Sequence, residues 1–132
     1  VRALIIDDSF VELALLQNLL SNANIETEAL TSGVNAMNKI LDYVPDVILL
    51  DLQLPGLSGK DICRQILDNN KTKNIPIIII SSDTTSKTKI AAYRAGGVEY
   101  LTKPFECDLV LNAVKQYGSM GEIINLCRSL VN

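Results

Sequence analysis

Residues 47–59 read VILLDLQLPGLSG, and the character of the fold can be worked out from them. Residues 47–50 are apolar without alternation, so both faces of that segment need cover, as in a strand of a parallel sheet flanked by helices. The run stops at a carboxylate, Asp51. Pro55 and Gly56 then mark a turn. Beyond them Ile62 and Ile66 share one side of a helix expected over 59–68.

The same order of strand, loop and helix recurs outward in both directions. Residues 4–6, 25–30, 77–80 and 98–101 read as further strands. Phe10, Leu13, Leu16 and Leu20 form a helical stripe after the first strand, and Val34, Met37, Leu41 and Val44 form one after the second. Ile90 and Tyr93 mark a helix over 86–95. Val110, Ala113, Val114 and Tyr117 mark another over 106–117. Ser9 with Glu12 is a capping box that starts the first helix. Strict alternation with right-handed crossovers gives a doubly wound α/β sheet, helices on both faces.

Gly118 is suited to a left-handed cap that ends the fifth helix, and Ser119 with Glu122 makes a second capping box. A sixth helix is therefore expected, with Ile124, Cys127 and Val131 on one face and Ile123, Leu126 and Leu130 on the next. The expected organisation is a domain over 1–118 and a helical extension over 119–132. The broad apolar side of that extension calls for a partner protomer, as in a homodimer, or an output domain.

With 132 residues, 48% apolar and 20% charged, the chain is of single-domain size, about 150 residues being usual. Its formal charge of −3, with no basic run, argues against binding nucleic acid by its phosphates. Its apolar runs of four or five residues fall far short of the roughly 20 that span a bilayer. Three widely spaced cysteines fit reduced thiols and a cytoplasmic setting. With no histidine, a Ser-His-Asp triad and most zinc sites are excluded from this chain. It opens on Val1 rather than Met, as a processed or excised piece would.

In a parallel sheet all strands end at one edge, where ligands of open α/β folds bind. Asp7 and Asp8 follow the first strand there, Asp51 the third, Ser81 and Ser82 the fourth, and Lys103 lies beyond the fifth. Singly, each is an ordinary turn former or helix cap. Together, three converging carboxylates need a cation or a lysine to offset their repulsion. Oxygen ligands without His or Cys favour a hard ion such as Mg2+. Carboxylate, metal, lysine and hydroxyl form a set suited to phosphoryl transfer onto an aspartate oxygen.

The run Leu4-Ile5-Ile6-Asp7-Asp8-Ser9, the segment from Asp51 to Gly59, then Ser81 and finally Lys103-Pro104-Phe105 closely resemble the receiver domain of two-component response regulators. The resemblance covers residues 2–117 and implies a flavodoxin-like strand order, 2-1-3-4-5. It makes Asp51 the phosphoacceptor, charged by a histidine kinase or His-containing phosphotransfer protein. Mg2+ is the one implied cofactor, held by Asp8 directly, by Asp7 mainly through water, by Asp51 and by the backbone carbonyl of Gln53. Lys103 would pair with Asp51 and later with the phosphoryl oxygens, aimed by a cis peptide before Pro104. Ser81 would bond the phosphoryl group, and Tyr100 would turn inward as Ser81 moves. That carries the change to the surface of the fourth helix, fifth strand and fifth helix, and so to an output domain or protein. Gln53 and Asp83 fall at variable positions that tune hydrolysis, where Asp83 would either orient or repel the attacking water.

On this reading the chain is a regulatory phosphoacceptor and not an enzyme. Three alternatives differ in what they require. An Mg2+-dependent phosphohydrolase with an aspartyl intermediate would want a second Asp where Gln53 stands. A flavin or nucleotide module would want a glycine-rich loop after the first strand. A scaffold-only receiver would lack one of the key residues, and here all are present.

Overall fold

The computed structural model describes residues 1–131, apart from the side chains of Arg128 and Val131. Strands and helices alternate: β1 (Arg2–Ile6), α1 (Phe10–Asn22), β2 (Glu26–Leu30), α2 (Ala36–Tyr43), β3 (Val47–Asp51), α3 (Gly59–Asp68), β4 (Ile77–Ser81), α4 (Ser86–Arg94), β5 (Glu99–Thr102) and α5 (Cys107–Val131). All strand pairs are parallel, in the order β2-β1-β3-β4-β5. The three central strands are the continuous apolar runs. β3 and β4 are buried at every position, because each side of the sheet carries helices.

Successive residues of a strand point to opposite faces, and the core divides accordingly. Leu4, Ile6, Ile48, Leu50, Ile77 and Ile79 pack with Ile40 of α2, Ile62 and Ile66 of α3, and Ala92 of α4. Ala3, Ile5, Val47, Leu49, Ile78 and Ile80 pack with Leu13, Leu16 and Leu20 of α1 and with Val110 and Val114 of α5. The edge strand β2 carries charges that blunt it as a template for further pairing. Glu26 Oε2 accepts from Arg2 Nε at 2.9 Å, and Lys39 Nζ lies 3.5 Å from Glu28.

Three expected helix faces are corrected by the structure. Phe10 opens α1 but lies 78% exposed, so only Leu13, Leu16 and Leu20 of that stripe reach the core. In α2 the buried face is Ala36, Ile40 and Tyr43, not the expected stripe, of which Val34, Leu41 and Val44 are exposed. Val34 precedes the helix and Val44 is its left-handed C-cap, so a pattern counted through both was out of phase with the helix itself. In α4, Ile90 and Tyr93 are exposed and Ala92 alone is buried.

The expected sixth helix is the continuation of α5, which runs through Gly118 without a break. The reason is close packing. A Cβ at Gly118 would come within 2.6 Å of the Val1 side chain, and one at Gly121 would overlap the Asp46 carbonyl oxygen. Glycine is used here for close approach, not for a left-handed turn. Ser119 and Glu122 therefore cap nothing, and Glu122 Oε2 stands 3.0 Å from the Val1 nitrogen. Asn125 Nδ2 donates to Pro45 O at 3.3 Å and to Asp46 Oδ1 at 2.9 Å. Met120, Ile123, Leu126 and Leu130 remain exposed, whereas the Val131 side chain lies outside the described residues. No described helix is long and apolar enough to cross a membrane.

Candidate functional site

The carboxyl ends of β1, β3 and β5 bring one lysine among four carboxylates. Asp7 follows β1 and Asp51 closes β3, and parallel register holds the two strands side by side, with Ile6 opposite Leu50. Asp7 is fully buried and Asp51 is 2% exposed, whereas Asp8 faces solvent. One ligand oxygen from each of the three lies within 4.8 Å of the others.

Local sequence explains how these carboxylates are held. Asp7 Oδ1 accepts the Ser9 N–H at 2.9 Å, and Asp51 Oδ1 accepts the Gln53 N–H at 2.9 Å. Each aspartate thus secures its own loop and turns its other oxygen inward. Gly59 lets α3 begin against this loop, because a Cβ there would meet Leu52 Cα at 2.8 Å and Asp51 O at 2.9 Å. Ser58 caps α3 by accepting the Asp61 N–H.

Lys103 reaches in from beyond β5, where its N–H donates to Ser81 O at 2.9 Å and the Lys103-Pro104 peptide is cis, as expected. Its ammonium donates to Asp51 Oδ2 at 3.0 Å and lies 3.5 Å from Asp7 Oδ2 and 2.6 Å from Glu12 Oε2. Burial alone would lower its pKa, but Glu12 and Asp51 outweigh that and the net shift is upward. Asp7 is pushed up to about 7, first by burial and then by the neighbouring Glu12 carboxyl.

Glu12 is the residue that sequence reasoning missed as part of the site. The expected capping box is only half made: Ser9 Oγ accepts the Glu12 N–H at 3.3 Å, but the Ser9 N–H is already taken by Asp7. The Glu12 carboxylate is left free to turn to Lys103. The available signal was the competition between Asp7 and Glu12 for one donor.

Ser81 lies one position beyond Ile80, the register partner of Asp51, and is 1% exposed. Its Oγ accepts the Asp83 N–H at 3.0 Å. Asp83 O in turn accepts the Tyr100 hydroxyl at 2.5 Å. Tyr100 is already buried, with the Lys89 ammonium 5.8 Å from its ring centroid. The Asp83 carboxylate accepts from Thr85 and Thr88, contacts that hold its pKa below the usual range, so it serves the start of α4. Gln53 is exposed, its side chain accepting from Ser82 Oγ at 3.3 Å.

An oxygen-only donor set fits a hard divalent cation. The buried Asp7 Oδ2 accepts no hydrogen bond and has the Lys103 ammonium only at 3.5 Å, which leaves it room for a cation; Glu12 Oε2 likewise accepts none, with the ammonium at 2.6 Å.

A parallel 2-1-3-4-5 sheet whose carboxyl edge gathers three aspartates, a serine and a lysine is the arrangement that the resemblance to receiver domains implies. The family model for the response regulator receiver domain matches residues 3–115, and the chain belongs to that family. It is 31% identical over 116 residues to protein PilG of Pseudomonas aeruginosa, covering 88% of this chain and 86% of PilG. It is likewise 31% identical over 112 residues to the response regulator PleD of Caulobacter vibrioides, covering 85% of this chain but only 24% of PleD. Among solved structures, the receiver domain of Francisella response regulator 1452 superposes with a TM-score of 0.84 at 27% identity, covering 90% of this chain and 97% of the other. The chain is thus a receiver domain of two-component signal transduction.

Proposed function

We propose that this domain is a phosphorylation-controlled switch in which Asp51 takes a phosphoryl group from a phosphohistidine on a kinase or a His-containing phosphotransfer protein. The observation that carries this reading is the position of Asp51: 2% exposed, one oxygen held by the Gln53 N–H and the other on Lys103 at 3.0 Å. An Asp51 oxygen attacks phosphorus, the bond from phosphorus to the donor nitrogen breaks, and the imidazole leaves. The product is a mixed anhydride carrying three phosphoryl oxygens. Lys103 neutralises charge on them, and Ser81 donates its hydroxyl hydrogen to one.

Mg2+, held by Asp7, Asp8, Asp51 and the backbone carbonyl of Gln53, would supply further charge neutralisation at the phosphoryl oxygens. Donor access is across α1, where Phe10, Val11 and Leu15 are exposed. Leu15, Leu19, Pro104 and Phe105 line a 340 Å³ groove with Glu12 and Lys103 at its polar end.

The read-out runs along the bonds from Ser81 Oγ to the Asp83 N–H and from Asp83 O to the Tyr100 hydroxyl. Movement of Ser81 toward a phosphoryl group pulls on the Asp83 peptide, to which Tyr100 is tied. With the Tyr100 ring already buried, the change on this reading is a shift in the α4 loop under a ring already in place. The shift presents an altered α4-β5-α5 surface to an output domain or partner, by as much as the phosphoryl group favours that state.

Acetyl phosphate as a small donor, followed by acetate release, tests the switch against the phosphohydrolase alternative. A switch releases about one acetate per chain in a first phase, then turns over slowly at the rate of anhydride hydrolysis. Rapid, sustained turnover of acetyl phosphate and of a generic phosphoester would contradict it. Gln53, exposed and without an ionisable side chain, supplies no acid or base for such turnover.

A further inference from the structure

We propose that Glu12 is a positioning residue for Lys103, one that competes with the phosphoryl group on Asp51 for the lysine's positive charge and so restrains phosphorylation. The inference rests on the phosphoacceptor role of Asp51.

Three observations carry it. Glu12 Oε2 is the carboxylate oxygen nearest the ammonium, at 2.6 Å against 3.0 Å for Asp51 and 3.5 Å for Asp7. Its orientation follows from the local sequence, since Asp7 Oδ1 occupies the Ser9 N–H to which a capping-box Glu would return. Glu12 is also on a different element from the acidic set, in the first turn of α1, so it can hold Lys103 without binding the phosphoryl group or sharing its loop.

The consequence is electrostatic. One positive charge is divided among three carboxylates before any phosphoryl group arrives. An incoming phosphoryl group carries negative charge to a crevice where Glu12 adds its own, one ammonium away from the attacking oxygen. In a largely buried setting that repulsion is weakly screened. Lys103 also has to loosen its contact with Glu12 to follow the phosphoryl oxygens.

Glu12→Gln removes the charge, keeps the length of the side chain, and leaves the backbone N–H free to bond Ser9. The test compares wild type and Glu12→Gln by the rate of acetyl phosphate labelling at saturating Mg2+. In parallel, the 15N signal of the Lys103 ammonium is followed in the metal-free, unphosphorylated proteins. The expected result is labelling roughly threefold to tenfold faster in the variant, the size of effect that one charge has at such distances. The Lys103 signal, sharp in wild type through slow proton exchange, should broaden in the variant. Labelling of Glu12→Gln at or below the wild-type rate would overturn the competition, as would an unchanged Lys103 signal. No labelling of wild type itself would overturn the phosphoacceptor reading first, and so is distinguishable from failure of the Glu12 role alone.

Discussion

Asn125 Nδ2 donates to Asp46 Oδ1 at 2.9 Å, which ties the last turns of α5 to the loop that leads into β3. Asp46 is 6% exposed, and its other oxygen accepts the Arg2 N–H at 2.7 Å. One carboxylate thus joins the starts of β1 and β3 to α5, at the end of the sheet opposite the acidic crevice.

Asn125→Ala should accordingly lower stability by about 1 kcal/mol, the usual net value of one such bond. Gly121→Val should cost more, because its side chain would have to displace the Asp46 carbonyl. Urea unfolding of the two variants checks the order, and a Gly121→Val midpoint equal to wild type would show that α5 does not dock here.

Val44 provides a second stability test. It is a β-branched residue at φ 51° and 44% exposed, where Asn24 and Asn35 hold the other non-glycine positive-φ positions among the described residues. The left-handed conformation costs such a side chain roughly 1–2 kcal/mol. Val44→Asn should therefore raise stability by about 1 kcal/mol, read from the shift in the denaturant midpoint. A lower midpoint would contradict the strain.

The Asp7 carboxyl gives stability a definite pH dependence. Its folded value of about 7 lies above the ordinary 3.8, so the folded state holds the proton more tightly than the unfolded chain. The stability of metal-free protein should fall as pH rises from about 4 to about 7. Asp7→Asn, whose oxygen can still accept the Ser9 N–H, should melt higher than wild type at pH 8 in chelator. The gap should close on acidification below the ordinary carboxylate pKa. An equal gap at both ends of that range would contradict the burial effect.

Thiol reactivity separates the cysteines. Cys63 is buried in the core and its pKa is pushed up to about 11 by burial, whereas Cys107 and Cys127 are exposed. A thiol reagent at pH 8 should label two sites quickly in the folded protein and the third only on unfolding. Rapid labelling of Cys63 would contradict the packing of α3 on the sheet.

Much of this was legible in the sequence, for physical reasons. β3 and β4 are apolar runs without alternation, which a doubly covered sheet accounts for, and they end in Asp51 and in Ser81, residues of the crevice. Resemblance to the receiver family anticipated the strand order and the cis peptide before Pro104. The α2 face was not legible, since two apolar stripes run through 34–44 and only the three-dimensional start at Ala36 decides between them. Gly118 was misread because a glycine gives the same letter for a left-handed turn and for close approach, and the Asp46 loop is distant in sequence. Glu12 escaped because its place in a capping box is a local pattern, whereas its partner Lys103 arrives from beyond β5.

The central claim is that Asp51 accepts a phosphoryl group in a metal-assisted reaction. Intact-mass spectrometry after incubation with acetyl phosphate, with Mg2+ and with chelator, tests it most directly alongside Asp51→Asn. The account predicts a single phosphoryl adduct on wild type, dependent on Mg2+ and missing from the variant. An adduct of equal yield on Asp51→Asn, or none on wild type with Mg2+ present, would contradict it.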